Sequence, residues 1–301
     1  MNNLPPLNLP SPITQIAHPL LTEKNIQLFI KRDELIHPII QGNKWRKLKY
    51  NLIAAQQNNR NVILSFGGAY SNHLHALAYA GKCLGIKTIG IIRGEATSPL
   101  NSCLQDMQNW GMKLKFITRL EYKQKNNPEF IKMLHHEFGN FHFIPEGGNN
   151  YEGEKGCAEL LDELNNSYDV ICCEIGSGTM FSSLIKNNTK SNTHFLGFAV
   201  MKNLQLNQDI NNSLKSLKNN ISTQWKINHN YHLGGFAKTT DELNQFISNF
   251  KKNHNIQLEP IYSGKLLWGI FDLVKQDYFK PGRKLLAIHG GGLQGLRGFK
   301  K

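Results

Sequence analysis

What this sequence lacks excludes several function classes before any motif is read. No apolar run in its 301 residues approaches the roughly 18–20 residues needed to span a bilayer. Its opening stretch, MNNLPPLNLPSPITQ, has neither the basic n-region nor the apolar h-region of a secretory signal. The five cysteines (Cys83, Cys103, Cys157, Cys172 and Cys173) are odd in number and contain no C-x-x-C pair, which argues against a disulfide framework. The histidines form no H-E-x-x-H, and no Cys/His spacing suits zinc, so no metal is expected. Together these absences predict a cytoplasmic chain with reduced thiols and no membrane partner.

Acidic residues are also in deficit, 22 against 35 basic ones, for a net charge of +13. Such a balance raises the question of nucleic acid. The lysines, however, are dispersed and interleaved with Asn, as in NNSLKSLKNNISTQWKINHN over 211–230. No zinc-finger, helix-turn-helix or RNA-recognition signature accompanies them. A solvated basic surface is the expectation, with no nucleic-acid partner.

What is present is ordinary globular composition, 40% apolar and 19% charged, with apolar residues in short runs. NVILSF (61–66), KTIGII (87–92), DVICCEI (169–175), HFLGFAV (194–200) and KLLAIH (284–289) read as buried parallel strands. Helical stretches such as SNHLHALAYAGKCLG (71–85) lie between many of them. The alternation predicts an α/β protein of two domains, each with a mostly parallel twisted sheet flanked by helices. The pattern runs over about 60–145 and again from 168. Between them IPEGGNNYEGEKG (144–156), rich in Gly and Asn, reads as a connection. The expected boundaries are 1–50 with 156–301 for a larger domain and 51–155 for a smaller one.

Three stretches could carry chemistry. In YDVICCEIGSGTMFSSLI (168–185) a strand runs into a glycine-rich turn and then a helix. Gly176 and Gly178 permit close backbone approach, Ser177 and Thr179 offer hydroxyls, and the helix amides favour an anion. Phe181 stands where a dinucleotide fingerprint needs its third glycine, and no G-K-[ST] follows. A phosphate cradle and a plain strand-to-helix turn both remain open. In SFGGAYSNHLHALAYAG, Gly67 and Gly68 make a turn ahead of Ser71, Asn72 and His73. These three are either helix-capping residues or ligand contacts at the carboxyl end of a strand. QGNKWRKLKY (41–50) crowds Lys44, Arg46, Lys47 and Lys49 behind Gly42 and Asn43. It is either a solvated basic helix start or the seat of a reactive amine.

Taken together and in order, KRDELIHPIIQGNKWRKLKY, SFGGAYSNHLHALAYAGKCLG, GSGT, EPIYSGKLLWGIFDLV and IHGGGLQGLRGF resemble one group of enzymes. These are the 1-aminocyclopropane-1-carboxylate deaminase / D-cysteine desulfhydrase family, fold type II pyridoxal-phosphate enzymes similar to the tryptophan synthase β chain. The resemblance spans about residues 30–299. It implies pyridoxal 5'-phosphate as cofactor in a cleft between the domains, a small amino acid as substrate, and a homodimer. By the same likeness Lys44 forms the Schiff base with the cofactor aldehyde. An ordinary lysine titrates near 10.4, so a nucleophilic amine needs its charged form disfavoured. A helix N-terminus and the neighbouring Arg46 and Lys47 act in that direction, while Arg46, Lys47 and Lys49 are themselves expected to be structural or surface residues. The resemblance further gives Asn72 the cofactor's 3′-oxygen, and Ser71 the substrate carboxylate or the Cα proton. For His73 the resemblance implies support of that loop and of the substrate, with a purely packing role as the alternative. Gly176, Ser177, Gly178 and Thr179 receive the phosphate, and Tyr262 lies near the cofactor ring and substrate side chain.

Three positions depart from the deaminase pattern, which has Glu after this Tyr, Leu after the His of the terminal motif, and a Tyr in the segment YHLGGFAKTT. Here they are Ser263, Gly290 and Phe236. A glutamate at the pyridine nitrogen keeps it protonated and makes a strong electron sink, whereas a hydroxyl meets a neutral nitrogen. Opening a cyclopropane needs the stronger sink. Expelling a thiol needs less. The expected reaction is therefore β-elimination from D-cysteine to pyruvate, ammonia and hydrogen sulfide, with Lys44 or Ser71 taking the Cα proton. Cyclopropane deamination to α-ketobutyrate and ammonia is the alternative within the class, and a basic ligand- or nucleic-acid-binding protein without catalysis is the alternative outside it.

Overall fold

A computed structural model describes residues 6–190, 192–215 and 223–299. Residues 216–222, the middle of the Lys- and Asn-rich run, lie outside the described residues, as do both extreme ends of the expected larger domain. The strands in chain order are β1 (Ile13–Ile16), β2 (Gln27–Lys31), β3 (Val62–Gly67), β4 (Lys87–Arg93), β5 (Lys113–Ile117), β6 (His142–Ile144), β7 (Val170–Ile175), β8 (His194–Ala199), β9 (Trp225–Asn228) and β10 (Lys284–Ile288). All five expected strands are present, as β3, β4, β7, β8 and β10.

The chain forms two compact units. Among the described residues, one holds 6–7, 37–156 and 294–299, and the other 8–36, 157–190, 192–215 and 223–293. The first is built on a four-stranded parallel sheet, β5-β4-β3-β6. Leu64 of β3 sits opposite Ile89 on one side and Phe143 on the other. Leu64, Phe66, Ile89, Ile91, Ile117 and Tyr122 form its apolar centre. The second carries a six-stranded sheet, β1-β2-β10-β7-β8-β9, antiparallel only between β1 and β2. Side chains of β10 feed both faces. Leu285 and Ala287 enter one apolar cluster, Leu286 and Ile288 another. That double burial is why LLAI of β10 is wholly apolar and VICCEI of β7 is apolar apart from Glu174.

The helix carrying the basic run, Asn43–Gln57, belongs to the first unit, whereas the expected boundaries grouped residues 1–50 with the other half. The cause is local packing. Asn51 and Asn150 exchange side-chain amide hydrogen bonds of 3.1 and 2.8 Å, and a Cβ on Gly156 would lie 1.8 Å from the Arg46 carbonyl oxygen. The expected connection 144–156 is only partly irregular. It holds a 3₁₀ turn at Glu146–Gly148 and the start of a helix, Tyr151–Asp162. All five cysteines are free thiols, and all but Cys83 are buried. Among the described residues no helix is long and apolar enough to cross a membrane.

Candidate active site

In the first unit, Gly42 enters the Asn43–Gln57 helix at φ 54°, ψ −130°, a backbone state that suits glycine far better than other residues. Lys44 is thereby the second residue of a helix N-terminus. It is half-buried, with its Nζ donating to Asn43 Oδ1. Arg46 and Lys47 are structural rather than surface residues, exposed by only 2% and 5%. Lys49 is half-buried, its ammonium 5.0 Å from the Tyr50 ring centroid.

His73 lies behind these lysines. Its Nε2 is 3.0 Å from Ser65 Oγ, while Nδ1 is buried without a hydrogen-bond partner. Burial first, then the positive charges of Lys47 and Lys44, pushes the imidazole down to about 3. His73 is therefore neutral, and its side chain is buried.

Ser71 caps the Asn72–Leu84 helix, its Oγ accepting from Leu74 N at 3.2 Å. A Cβ on Gly67 would sit 2.5 Å from that Oγ, so the glycine turn exists partly to make room for Ser71. The Asn72 Oδ1 accepts from Gln294 Nε2. Gln294, within the terminal motif IHGGGLQGLRGF, is thus in contact with a candidate site residue.

In the second unit the GSGT turn leads into the Thr179–Asn187 helix, with Gly178 left-handed at φ 84°. Ser177 Oγ and Thr179 Oγ1 stand 3.0 Å apart, and the first turn of the helix contains no acidic residue. A Cβ on Gly176 would come within 3.2 Å of Tyr262 Cε1, so the Tyr262 ring rests on the turn itself. Two of the expected site elements, the turn and Tyr262, therefore meet. A positive helix end, paired hydroxyls and a glycine floor against an aromatic ring fit a phosphorylated aromatic cofactor. Phe236, where the deaminases have Tyr, packs edge-on against Tyr262 at 6.2 Å between centroids.

Ser263 opens the helix Ser263–Lys275 and is buried. Its Oγ accepts from Glu259 N at 3.0 Å and lies 3.3 Å from Glu259 Oε1. Glu259 is the residue that sequence reasoning missed. It is fully buried and accepts from the amides of Ile261, Tyr262 and Ser263 at 2.7–2.8 Å. Burial pushes its carboxyl up, and the three amides oppose that with a smaller effect. Its signal was the Glu four residues ahead of Ser263 in EPIYSGK. Lys265 of the same motif is buried too, its Nζ donating to the carbonyls of Val200, His232 and Gly235. Gly290 is buried beside His289, whose Nε2 is 2.8 Å from the Gln257 carbonyl.

Known proteins resemble this chain over most of its length. A family profile described as pyridoxal-phosphate dependent enzyme matches residues 7–291. A putative 1-aminocyclopropane-1-carboxylate deaminase of Pyrococcus abyssi is 28% identical over 295 residues, covering 91% of this chain and 87% of that one. A bifunctional D-cysteine desulfhydrase/1-aminocyclopropane-1-carboxylate deaminase of Arabidopsis thaliana, mitochondrial, is 27% identical over 314 residues, covering 96% and 78%. The crystal structure of an ACC deaminase homologue superposes with a TM-score of 0.83 at 26% identity, covering 97% of this chain and 92% of that one.

Proposed function

We propose, from the premise that this chain belongs to the pyridoxal-phosphate dependent enzyme family, that it eliminates sulfide from D-cysteine. The family gives the cofactor and the broad class, a lyase of the β-elimination and deamination group. The substrate is our reading. D-cysteine and water give pyruvate, ammonia and hydrogen sulfide.

When bound, the cofactor supplies an electron sink for the pair left at the substrate Cα. Lys44 holds the cofactor through its ε-amine and moves the Cα proton. Ser71 is less suited to that transfer. Its hydroxyl is an ordinary alcohol held as a helix cap by Leu74 N, a weaker base than an amine, and its proton suits donation to the substrate carboxylate. Ser177, Thr179 and the first amides of the following helix hold the phosphate, Asn72 donates to the 3′-oxygen, and Tyr262 lies along the ring.

The observation that carries the substrate assignment is the state of Ser263. Its oxygen accepts from Glu259 N, its proton goes to Glu259 Oε1 at 3.3 Å, and that carboxyl group also accepts from three amides. The position thus carries a hydroxyl where the deaminase pattern has a carboxylate, and a hydroxyl that turns its proton from Oε1 to a ring nitrogen meets that nitrogen in its neutral form. That gives the weaker electron sink, enough to expel a thiol. A second reading, cyclopropane deamination, draws support from the relative named for it in Pyrococcus abyssi.

Assaying the purified holoenzyme on D-cysteine, L-cysteine and 1-aminocyclopropane-1-carboxylate separates the two. Pyruvate and sulfide from D-cysteine are expected to exceed the other products. Faster release of α-ketobutyrate from the cyclopropane compound would overturn the assignment and favour the second reading.

A further inference from the structure

We infer that Gln294 and Arg297, brought from the C-terminal end of the chain, fix which way the Asn72 amide faces and so make it a hydrogen-bond donor toward the cofactor. The inference rests on the reading that Asn72 contacts the cofactor's 3′-oxygen.

An asparagine amide has two faces of opposite character, an acceptor oxygen and a donor nitrogen, and nothing in the residue itself chooses between them. The choice is made by neighbours whose character is fixed. Arg297 is such a neighbour, because a guanidinium only donates. It is anchored by Asp106, with NH2 2.7 Å from Oδ2. Asp106 is in turn 2.9 Å from Nε2 of the buried His75, and the Trp110 ring packs edge-on against His75 at 4.6 Å. Arg297 NH2 also lies 3.2 Å from His75 Nε2.

From that anchor Arg297 donates to Gln294 Oε1 at 3.3 Å. The Gln294 oxygen must therefore face Arg297, and its nitrogen must face away. An independent contact agrees, because Gln294 Nε2 is 3.2 Å from the Tyr70 backbone carbonyl, which only accepts. The second proton of that nitrogen goes to Asn72 Oδ1. Asn72 thus has its oxygen committed, and Nδ2 is the face left for a ligand. A donor there suits a negatively charged ring oxygen, whereas the flipped amide would set oxygen against oxygen. Gln294 and Arg297 are positioning residues. They act through Asn72.

The test compares Gln294→Glu, Gln294→Met and Asn72→Ala with the parent protein, with no assay of turnover. Glutamate keeps the pairing to Arg297 but cannot donate to Asn72 as a carboxylate, and methionine fills similar space with no donor at all. Pyridoxal 5'-phosphate is titrated into cofactor-free protein, the visible band of the loaded protein is followed against pH, and the thermal midpoint of cofactor-free protein serves as the control. Both Gln294 variants are expected to weaken cofactor binding roughly tenfold, the size of a hydrogen bond to a charged group. They should also raise the pH midpoint of the band, because an oxyanion without its donor keeps the adjacent proton more tightly. The thermal midpoint of the cofactor-free protein should stay near the parent's. Should Gln294→Glu fold poorly, Gln294→Met gives the same reading. If Asn72→Ala moves affinity and band while both Gln294 variants leave them unchanged, the orienting role is refuted and the Asn72 assignment stands. If Asn72→Ala also moves neither, the contact between Asn72 and the cofactor is itself refuted, and the orienting role with it.

Discussion

Lowering the pH from about 7 to about 5 places a proton on His73 in the unfolded chain but not in the folded one. In the fold its imidazole is held down to about 3, chiefly by burial and then by Lys47 and Lys44, against an ordinary value of 6.5. The sign follows from linkage. A histidine whose folded value is depressed contributes fully above 6.5, and that contribution is lost as the pH falls toward 3. At about pH 5 the unfolded chain has gained from roughly 1.5 pH units of proton binding that the native state cannot match. At about 1.4 kcal/mol per pH unit the native state loses about 2 kcal/mol through this one side chain. The perturbation that isolates it is His73→Gln, whose amide can still reach Ser65 Oγ but does not titrate. Urea unfolding of cofactor-free parent and variant at both pH values gives the comparison. Other depressed histidines, His75 and His142 among them, contribute equally to both proteins and cancel. The parent should lose about 2 kcal/mol more than the variant on acidification. Equal losses would show that His73 is protonated in the fold, and the argument from its burial would fail.

Two further substitutions probe the frame around the site. Gly156→Ala puts a methyl group 1.8 Å from the Arg46 carbonyl and must push apart the helix that carries Lys44. A loss of about 1–3 kcal/mol is expected in thermal unfolding, with weaker cofactor binding, and an unchanged midpoint would contradict the packing. Glu259→Gln turns one acceptor toward the amides of Ile261, Tyr262 and Ser263 into a donor. It should cost about 1–3 kcal/mol by chemical denaturation, and a gain in stability would refute the view that the carboxylate holds this turn.

Central strands were legible because both their faces are buried, as in VICCEI of β7, where five of six positions are buried. The strands that escaped notice are short and carry polar residues, such as ITQI of β1 and KLKFI of β5. The helix Tyr151–Asp162 was hidden by its own glycines, read as loop composition. Gly153 and Gly156 are there because the Gly148 and Arg46 carbonyls come too close for a Cβ. Lys44 and Ser71 were singled out because each follows a glycine turn, Gly42 and Gly67–Gly68, whereas Tyr262 came only from the likeness of EPIYSGK to the family. Glu259 and Gln294 could not be read that way. Glu259 acts through backbone amides that no residue type announces, and Gln294 reaches Asn72 across 222 positions of sequence. The sequence left Arg46 and Lys47 open between structural and surface roles; they are buried, because a helix this close to Gly148 and Gly156 has little exposed face to give them.

Reduction of the loaded protein with borohydride, followed by peptide mapping, asks directly which amine holds the cofactor. The phosphopyridoxyl label is expected on Lys44, and Lys44→Ala should lose both the label and the visible band. Label on Lys47 or on another lysine, or a band that survives in Lys44→Ala, would contradict the assignment of Lys44 on which the proposed chemistry depends.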